Sequence, residues 1–192
     1  MVEELTKGCD LTIFSHQNPM EQGVFMPVEF VTCDLLDDNP NQDIFVIPPS
    51  IDGKHFKNFG GHCSFYGQIV TVKCFEDNSR VKELLATSGN GRVLVVDGGA
   101  SLRCALLGDM IAKSAADNGW AGVVIYGCVR DVDELKKLPL GVMALSAIPK
   151  KSVRKGAGDV GVHLDIGGVT IADGAYLYAD NNGILICANT LI

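Results

Sequence analysis

Residues 91–126 read GRVLVVDGGASLRCALLGDMIAKSAADNGWAGVVIY. The run 93–96 is continuously apolar and ends in Asp-Gly-Gly, the pattern of a strand buried on both faces. Residues 109–118 are mostly small and stop at a glycine, which predicts a helix, and 122–126 forms a second apolar run. Strand, helix and strand within about 35 residues predict a right-handed βαβ unit with parallel strands.

Further elements extend this unit in both directions. A β-branched run predicts a strand over 67–75, and apolar spacing on one face predicts a helix over 79–87. β-rich ends around an α/β centre predict a mixed β/α/β domain, and no Rossmann or P-loop glycine motif supports a nucleotide-binding fold. The remaining predicted elements are a short helix at 132–137 and strands at 162–166, 169–171 and 183–186.

The amino-terminal part of the chain has weaker patterns. Residues 1–31 lack clear periodicity and are predicted to form an extension, followed by a single domain over 32–192. Residues 32–37 predict a short helix with Thr32 as its N-cap. The stretch 38–57 is rich in Asn and Pro turns, which predicts an insertion or lid.

Composition excludes several classes of protein. The chain has 192 residues, 16 Lys and Arg against 23 Asp and Glu, and a net charge of −7, so no basic stripe is expected to bind a nucleic-acid backbone. The longest apolar runs are far shorter than the ~20 residues that a membrane helix needs. No secretory signal is visible at the start, and we therefore expect a cytoplasmic protein with no membrane partner.

Cysteine and histidine spacing gives little support for a metal cluster or a nucleophile. The seven cysteines are an odd number without a C-x-x-C pair, and the four histidines lack zinc-binding spacing. Adjacent His62 and Cys63 could suggest a nucleophile, but ordinary packing is the simpler interpretation because neighbours in a strand point to opposite faces. Serine hydrolysis is also disfavoured, because Gly98-Gly99-Ala100-Ser101 lacks the trailing glycine of a nucleophile elbow.

Polar residues follow both strands of the βαβ unit and enter its helix, and the sequence predicts that three segments meet at one sheet edge. These are Asp97, residues 107–111, and Arg130-Asp131. The amides at the start of the helix could bind a small carboxylate, and Gly108 permits close approach. Arg130 adds a planar cation, and Asp131 adds a hard oxygen ligand for Mg²⁺ or Mn²⁺. Together they could hold a metal-bound 2-oxo acid.

A purely structural interpretation of the same residues is open at this point. Asp109 could be only an N-cap, and Arg130 with Asp131 could form only a polar turn. Asp131 and Glu134 could be acids that complement the dipole of the following helix. Asp97, before two glycines, is more typical of a turn than of a ligand.

Four segments carry a family resemblance: GQIVTVKCFEDN at 67–78, GRVLVVDGG at 91–99, GWAG at 119–122 with Val129-Arg130, and LYAD at 177–180 with Gly183-Ile184. They are similar to the RraA family, which contains "regulator of RNase E activity A" proteins and class II 4-hydroxy-4-methyl-2-oxoglutarate aldolases. The resemblance covers about residues 60–187. It implies an α/β fold of the swivelling β/β/α sandwich type and a ring-shaped homotrimer with sites at the subunit interfaces.

The enzymes of this family resemble the chain in one spaced pattern: Asp109, twenty residues, Arg130-Asp131, two residues and Glu134. The resemblance implies that Arg130 contacts the 2-keto oxygen of the substrate and that Asp131 holds the divalent cation. Asp109 would position a water that relays protons. The substrate carboxylate would bind the backbone amides of Gly108, Asp109, Met110 and Ile111.

The implied activity is a metal-dependent lyase. It would cleave 4-hydroxy-4-methyl-2-oxoglutarate to pyruvate and decarboxylate oxaloacetate, because both reactions leave a pyruvate enolate. The alternative is a regulator that docks on a basic segment of an RNase E-type ribonuclease or an RNA helicase, for which a charge of −7 per chain is suited. The family's regulators typically lack the acid after the arginine, and this chain retains it. A menaquinone methyltransferase is disfavoured, since no glycine-rich S-adenosylmethionine motif is present.

Overall fold

A computed structural model describes residues 29–192, so most of the predicted 1–31 extension lies outside the described residues. The helices are α1 (Thr32–Asp38), α2 (Ser79–Leu85), α3 (Asp109–Asp117) and α4 (Val132–Leu135). The strands of the first half are β1 (Ile44–Val46), β2 (Lys57–Asn58), β3 (Phe65–Lys73), β4 (Val93–Asp97) and β5 (Ala105–Leu107). Those of the second half are β6 (Gly122–Val129), β7 (Gly141–Ala147), β8 (Asp159–Val160), β9 (Leu164–Ile166), β10 (Val169–Ile171), β11 (Tyr176–Ala179) and β12 (Ile184–Cys187).

One mixed sheet organises the domain. Its strands run in the order β1-β12-β11-β3-β4-β6-β7-β2, with β5 beside β6 and β8 beside β3. The central strands β3, β4, β6 and β7 are parallel, and the outer pairs are antiparallel. The predicted βαβ unit is confirmed, because β4 and β6 are parallel neighbours joined through α3. The predicted α/β class is confirmed as well.

Alternation along β4 explains the layers. All five of its residues are buried, and successive side chains enter different hydrophobic clusters. Leu94 and Val96 pack on the side of the helices, with residues of α2 and α3. Val93 and Val95 pack on the opposite side, where the β9–β10 hairpin contributes Leu164 and Ile166. The sheet therefore has helices on one face and further β-structure on the other.

A pair of glycines lets one aromatic ring lie flat across two strands. Gly122 and Gly141 are register partners in β6 and β7. A Cβ atom on either residue would overlap the ring of Phe65, which is buried in the core. Glycine is therefore required at both positions by packing, since close-packed cores tolerate little added volume.

The prediction that Thr32 caps α1 is wrong. Val31 occupies the N-cap position without a side-chain cap, and Thr32 is the first helical residue. The Thr32 amide and hydroxyl each donate a 2.8 Å hydrogen bond to the carboxylate of Asp180, in the turn between β11 and β12. A carboxylate that is remote in sequence thus accepts the hydrogen bonds of the first residue of α1.

The stretch 38–57 contains more regular structure than its turn residues suggest. Residues of β1 pair with β12 at the edge of the main sheet, in the register Ile44 to Cys187. Whether this stretch is an insertion stays a prediction. No helix within residues 29–192 is long and apolar enough to cross a membrane.

Candidate active site

The candidate site lies at the ends of two parallel strands, β5 and β6. β5 ends at Leu107, which is a register partner of Val129 at the end of β6. The amide of Arg130 donates a 2.9 Å hydrogen bond to the carbonyl of Leu107, so the residues after both strands lie side by side. Gly108 then leads into α3 and Asp131 leads into α4. β5 was not predicted from the sequence, although the apolar run Ala105–Leu107 before a glycine was its signal.

Arg130 and Asp131 form the charged centre of this site. Nε of Arg130 donates to Oδ2 of Asp131 at 2.8 Å, and both side chains are about one-third exposed. The amide of Asp109 donates to the same oxygen at 3.4 Å. The hydrogen bond from Arg130 lowers the pKa of Asp131 against the opposing effect of burial, and the weaker hydrogen bond from the amide of Asp109 acts in the same direction. Asp131 is therefore ionised at neutral pH.

The backbone of Asp131 is left-handed, with φ 57° and ψ 42°. This conformation is uncommon for residues with a side chain, although Asp and Asn adopt it more readily than most. Its carbonyl accepts 3.0 Å hydrogen bonds from the amides of Glu134 and Leu135, and Leu135 is fully buried. The turn is thus held by α4, and it directs the Asp131 carboxylate back toward α3.

The start of α3 carries the predicted carboxylate cradle. Gly108 is the N-cap and Asp109 the first helical residue, so the interpretation of Asp109 as an N-cap is wrong. First-turn amides of a helix have no acceptor within the helix, which leaves them for a ligand. One of the four predicted amides, that of Asp109, already contacts Asp131. The side chain of Met110 is 81% exposed, whereas Ile111 is buried in the core.

The structure does not bring Asp97 to this site. Asp97 is the register partner of Tyr126, four residues before Arg130, and four strand residues span roughly 13 Å. Its carboxylate accepts a 2.9 Å hydrogen bond from the amide of Gly99 and lies 4.0 Å from the ammonium of Lys73. The turn interpretation of Asp97 is correct, and the prediction that three segments meet is wrong: β6 extends beyond β4, so only two do.

Glu134 lies one helical turn beyond Asp131. Its side chain is exposed and pairs with Lys137 at 2.7 Å. The carboxylate of Glu134 makes no hydrogen bond to Arg130 or Asp131 within the part of the chain that the structure describes. Contacts among residues 29–192 therefore do not explain its place in the family pattern.

The donor chemistry fits a single divalent cation. Residues 29–192 contain no group of three or more His, Cys, Asp or Glu side chains placed to enclose a metal ion. Asp109 and Asp131 do contribute two carboxyl groups to the same site, since the amide of Asp109 donates to the Asp131 carboxylate at 3.4 Å. The hydrogen bonds from Arg130 and the Asp109 backbone both reach Oδ2 of Asp131, which leaves Oδ1 for a cation. Mg²⁺ is commonly held by one or two carboxylates and keeps several waters, so an open site of this kind suits it.

Comparison with known proteins gives a consistent family. A model of the RraA-like family, described as Aldolase/RraA, matches residues 32–186. The proposed 4-hydroxy-4-methyl-2-oxoglutarate aldolase of Acinetobacter baylyi is 66% identical over 165 residues, which cover 86% of this chain and 97% of the relative. A solved structure of the RNA-processing inhibitor RraA from Thermus thermophilis is 44% identical with a TM-score of 0.76, over 84% of this chain and 94% of its own.

A second solved structure carries a different description. It is described as an S-adenosylmethionine: 2-dimethylmenaquinone methyltransferase from Geobacillus kaustophilus, and it is 43% identical with a TM-score of 0.79. The alignment covers 84% of this chain and 97% of that chain. One fold therefore carries three functional descriptions, and the chemistry of this chain has to be argued from its own site.

Proposed function

This chain belongs to the RraA-like family, and from that membership we propose that it is a divalent-metal-dependent lyase. It cleaves 4-hydroxy-4-methyl-2-oxoglutarate and related 2-oxo acids to pyruvate, and it decarboxylates oxaloacetate. The observation that carries the proposal is the Arg130–Asp131 pair held against the amino-terminal end of α3. A fixed cation, two carboxyl groups and free helix amides are the groups that a 2-oxo acid and a hard cation require.

The substrate carboxylate binds the first-turn amides of α3, from Gly108 to Ile111. The amide of Asp109 is held only at 3.4 Å by Asp131, a weak hydrogen bond that an incoming carboxylate can replace. The outer nitrogens of Arg130 contact the 2-keto oxygen, because its Nε is already engaged with Asp131. The planar guanidinium can bridge the two partners in one fixed orientation.

Both reactions place negative charge on that keto oxygen as a pyruvate enolate forms. Arg130 stabilises this charge from a position set before the reaction begins, which is the arrangement that lowers a barrier most. A divalent cation held by Asp131 would supply further positive charge at the same oxygen. The low pKa of Asp131 keeps its carboxylate charged for this role.

Asp109 handles protons in this scheme. It is the first residue of α3, and its amide donates a 3.4 Å hydrogen bond to the Asp131 carboxylate, so its own carboxyl group belongs to the same end of the helix. During aldol cleavage it holds a water that takes the proton from the 4-hydroxyl group, and the same water returns a proton to the enolate carbon. Decarboxylation needs only the second of these transfers.

We also propose the homotrimer and the cytoplasmic location that the family resemblance implies. If the sites lie at subunit interfaces, as the resemblance implies, the strongly exposed side chain of Met110 beside the cradle would contact a neighbouring subunit. Light scattering coupled to size exclusion measures the assembly directly. A mass of one chain, 20.5 kDa, in solution would contradict the trimer.

The test of the activity is pyruvate release measured with a lactate dehydrogenase couple. We expect turnover of both 4-hydroxy-4-methyl-2-oxoglutarate and oxaloacetate with Mg²⁺ or Mn²⁺, and none after EDTA treatment. Because free Mg²⁺ itself promotes oxaloacetate decarboxylation, the blank contains the metal without protein. Metal-independent turnover, or no turnover of either substrate with any divalent cation, would contradict the proposal.

A second candidate function is inhibition of an RNase E-type ribonuclease. It is favoured by the 44% identity to the Thermus structure and by the net charge of −7, which suits a basic partner segment. The test compares RNA cleavage by such a ribonuclease with and without the protein, at low and high salt. The Asp131→Asn variant separates the two functions, because docking through an acidic surface does not require a metal ligand.

A further inference from the structure

We infer that Gly108 is a positioning residue for Arg130 and Asp131, in addition to any contact that its amide makes with substrate. The bare Cα of Gly108 provides the surface against which both side chains lie. This inference rests on the proposed function, since it concerns the pair that the lyase uses. The geometry of that pair then depends on the absence of a side chain at residue 108, which follows the neighbouring strand β5.

The backbone of Gly108 does not itself require glycine. Its φ of −140° and ψ of −178° describe extended backbone, which any residue adopts. The requirement comes from its surroundings, because a Cβ atom would lie 2.7 Å from Oδ2 of Asp131. The same atom would lie 3.0 Å from Cγ and 3.4 Å from Cδ of Arg130. Carbon and oxygen do not approach this closely without a bond, so one partner must move.

The partner that moves is the charged pair. The backbone of Asp131 is held by the amides of Glu134 and Leu135, and that of Arg130 by the carbonyl of Leu107. A methyl group at Gly108 therefore displaces the Asp131 carboxylate from the end of α3 and turns the Arg130 stem aside. The hydrogen bond at 3.4 Å to the Asp109 amide is the first contact to break. We expect the backbone at residue 108 to keep its conformation, because any residue adopts the extended backbone found there.

Other glycines provide the contrast. A Cβ at Gly141 meets the core ring of Phe65, so alanine there tests packing. A Cβ at Gly183 meets nothing within 4 Å, and its φ is not left-handed, so alanine there tests only the loss of a glycine. Gly183→Ala is thus the matched control for Gly108→Ala.

The experiment measures pyruvate formation, Mn²⁺ binding by electron paramagnetic resonance without substrate, and the melting temperature. A displacement of about 1 Å in a reacting group can lower turnover by roughly 10²-fold. We expect Gly108→Ala to lose roughly 10- to 100-fold in kcat and to bind Mn²⁺ more weakly. Gly183→Ala should match the parent protein in kcat and in Mn²⁺ binding. Parental kcat and Mn²⁺ affinity in Gly108→Ala would overturn the inference.

Two further variants keep the result interpretable. If Asp131→Asn has full activity, the proposed function fails, whatever Gly108→Ala does. If Asp131→Asn is inactive and Gly108→Ala is unchanged, only the positioning inference fails. For stability, the cost of Gly108→Ala is measured in the parent and in an Asp131→Gly background. Removal of the carboxylate should reduce that cost, and equal shifts of the melting temperature in both backgrounds would overturn the steric argument.

Discussion

Nε of Arg130 lies 2.8 Å from Oδ2 of Asp131, so two consecutive residues of one turn form an ion pair with each other. The pair fixes one edge of the guanidinium and one oxygen of the carboxylate. Within residues 29–192 the other guanidinium nitrogens and Oδ1 make no hydrogen bond, so they remain as a preset pair of opposite charges beside the start of α3. Such preorganisation reduces the reorganisation that binding would otherwise require.

Asp131→Asn should abolish lyase activity while the protein stays folded. Asparagine tolerates the left-handed backbone at this position and keeps the shape of the side chain, but it removes the charge that a divalent cation needs. Pyruvate release and the melting temperature are measured together. Asp133→Asn, an exposed acid in the same helical turn, is the control and should remain active. Parental turnover in Asp131→Asn would rule out its role as the metal ligand.

Arg130→Lys should lose most of the rate even though the charge is conserved. Lysine has no planar fork, so it cannot pair with Asp131 and contact a keto oxygen in the same orientation. The measurement is kcat/KM for both substrates. Arg103→Lys serves as the control, because Arg103 also pairs through Nε, with Glu76 at 2.7 Å, on another part of the surface. A rate within about two-fold of the parent would favour a simple polar turn.

Asp109→Asn should lower aldol cleavage by roughly 10²-fold, because an amide cannot relay a proton. Since Asp109 is not an N-cap, the expected structural cost is limited to its charge in the first turn of α3, about 0.3–1 kcal/mol. Oxaloacetate decarboxylation should fall less, because it needs no base to break its carbon–carbon bond. Asp34→Asn, a first-turn acid of α1, controls for the dipole effect. A change in melting temperature alone would show that the role of Asp109 is structural.

Asp77→Asn should change how stability depends on pH. Burial alone would raise the pKa of Asp77, but hydrogen bonds from Ser79 and from the amides of Lys155 and Ala157 lower it from 3.8 to about 2. A lowered folded-state pKa contributes stability above pH 3.8, and this contribution is lost as the pH falls through about 2.

The variant should be less stable at pH 7 by about 1–3 kcal/mol, since an amide cannot accept from all of these donors. The difference from the parent should shrink as the pH is lowered from 4 toward 2. Denaturant unfolding across this range measures it, with Asp117→Asn, an exposed acid, as the control. A constant difference at every pH would mean that the Asp77 charge contributes nothing.

The central βαβ unit was predictable because its strands are continuous apolar runs between clear turns, and β4 is indeed buried on both faces. β7 was missed because its residues, Gly141–Ala147, include Met, Ala and Leu, which have no preference for strands. Its strand conformation depends on pairing with β6 and β2. Local sequence does not contain that information.

The candidate site was partly predictable for similar reasons. Arg130, Asp131 and the α3 amides follow strand ends, and parallel strands bring such ends together. Asp97 was misplaced because the relative lengths of β4 and β6 depend on how the strands align. The prediction that Thr32 caps α1 was wrong because the acceptor of its hydrogen bonds, Asp180, lies 148 residues away in the chain. Long-range partners of this kind are not visible in spacing.

Because the turn at residue 131 is left-handed, a mutation there can change the side chain of the site and keep the backbone conformation. Asparagine and glycine both adopt this conformation readily, and each is one nucleotide away from every aspartate codon. A single point mutation can therefore remove the proposed cation ligand without selection against a misfolded product. A family member with this turn could lose a catalytic activity through one substitution at residue 131 and retain the surface with which it binds other partners.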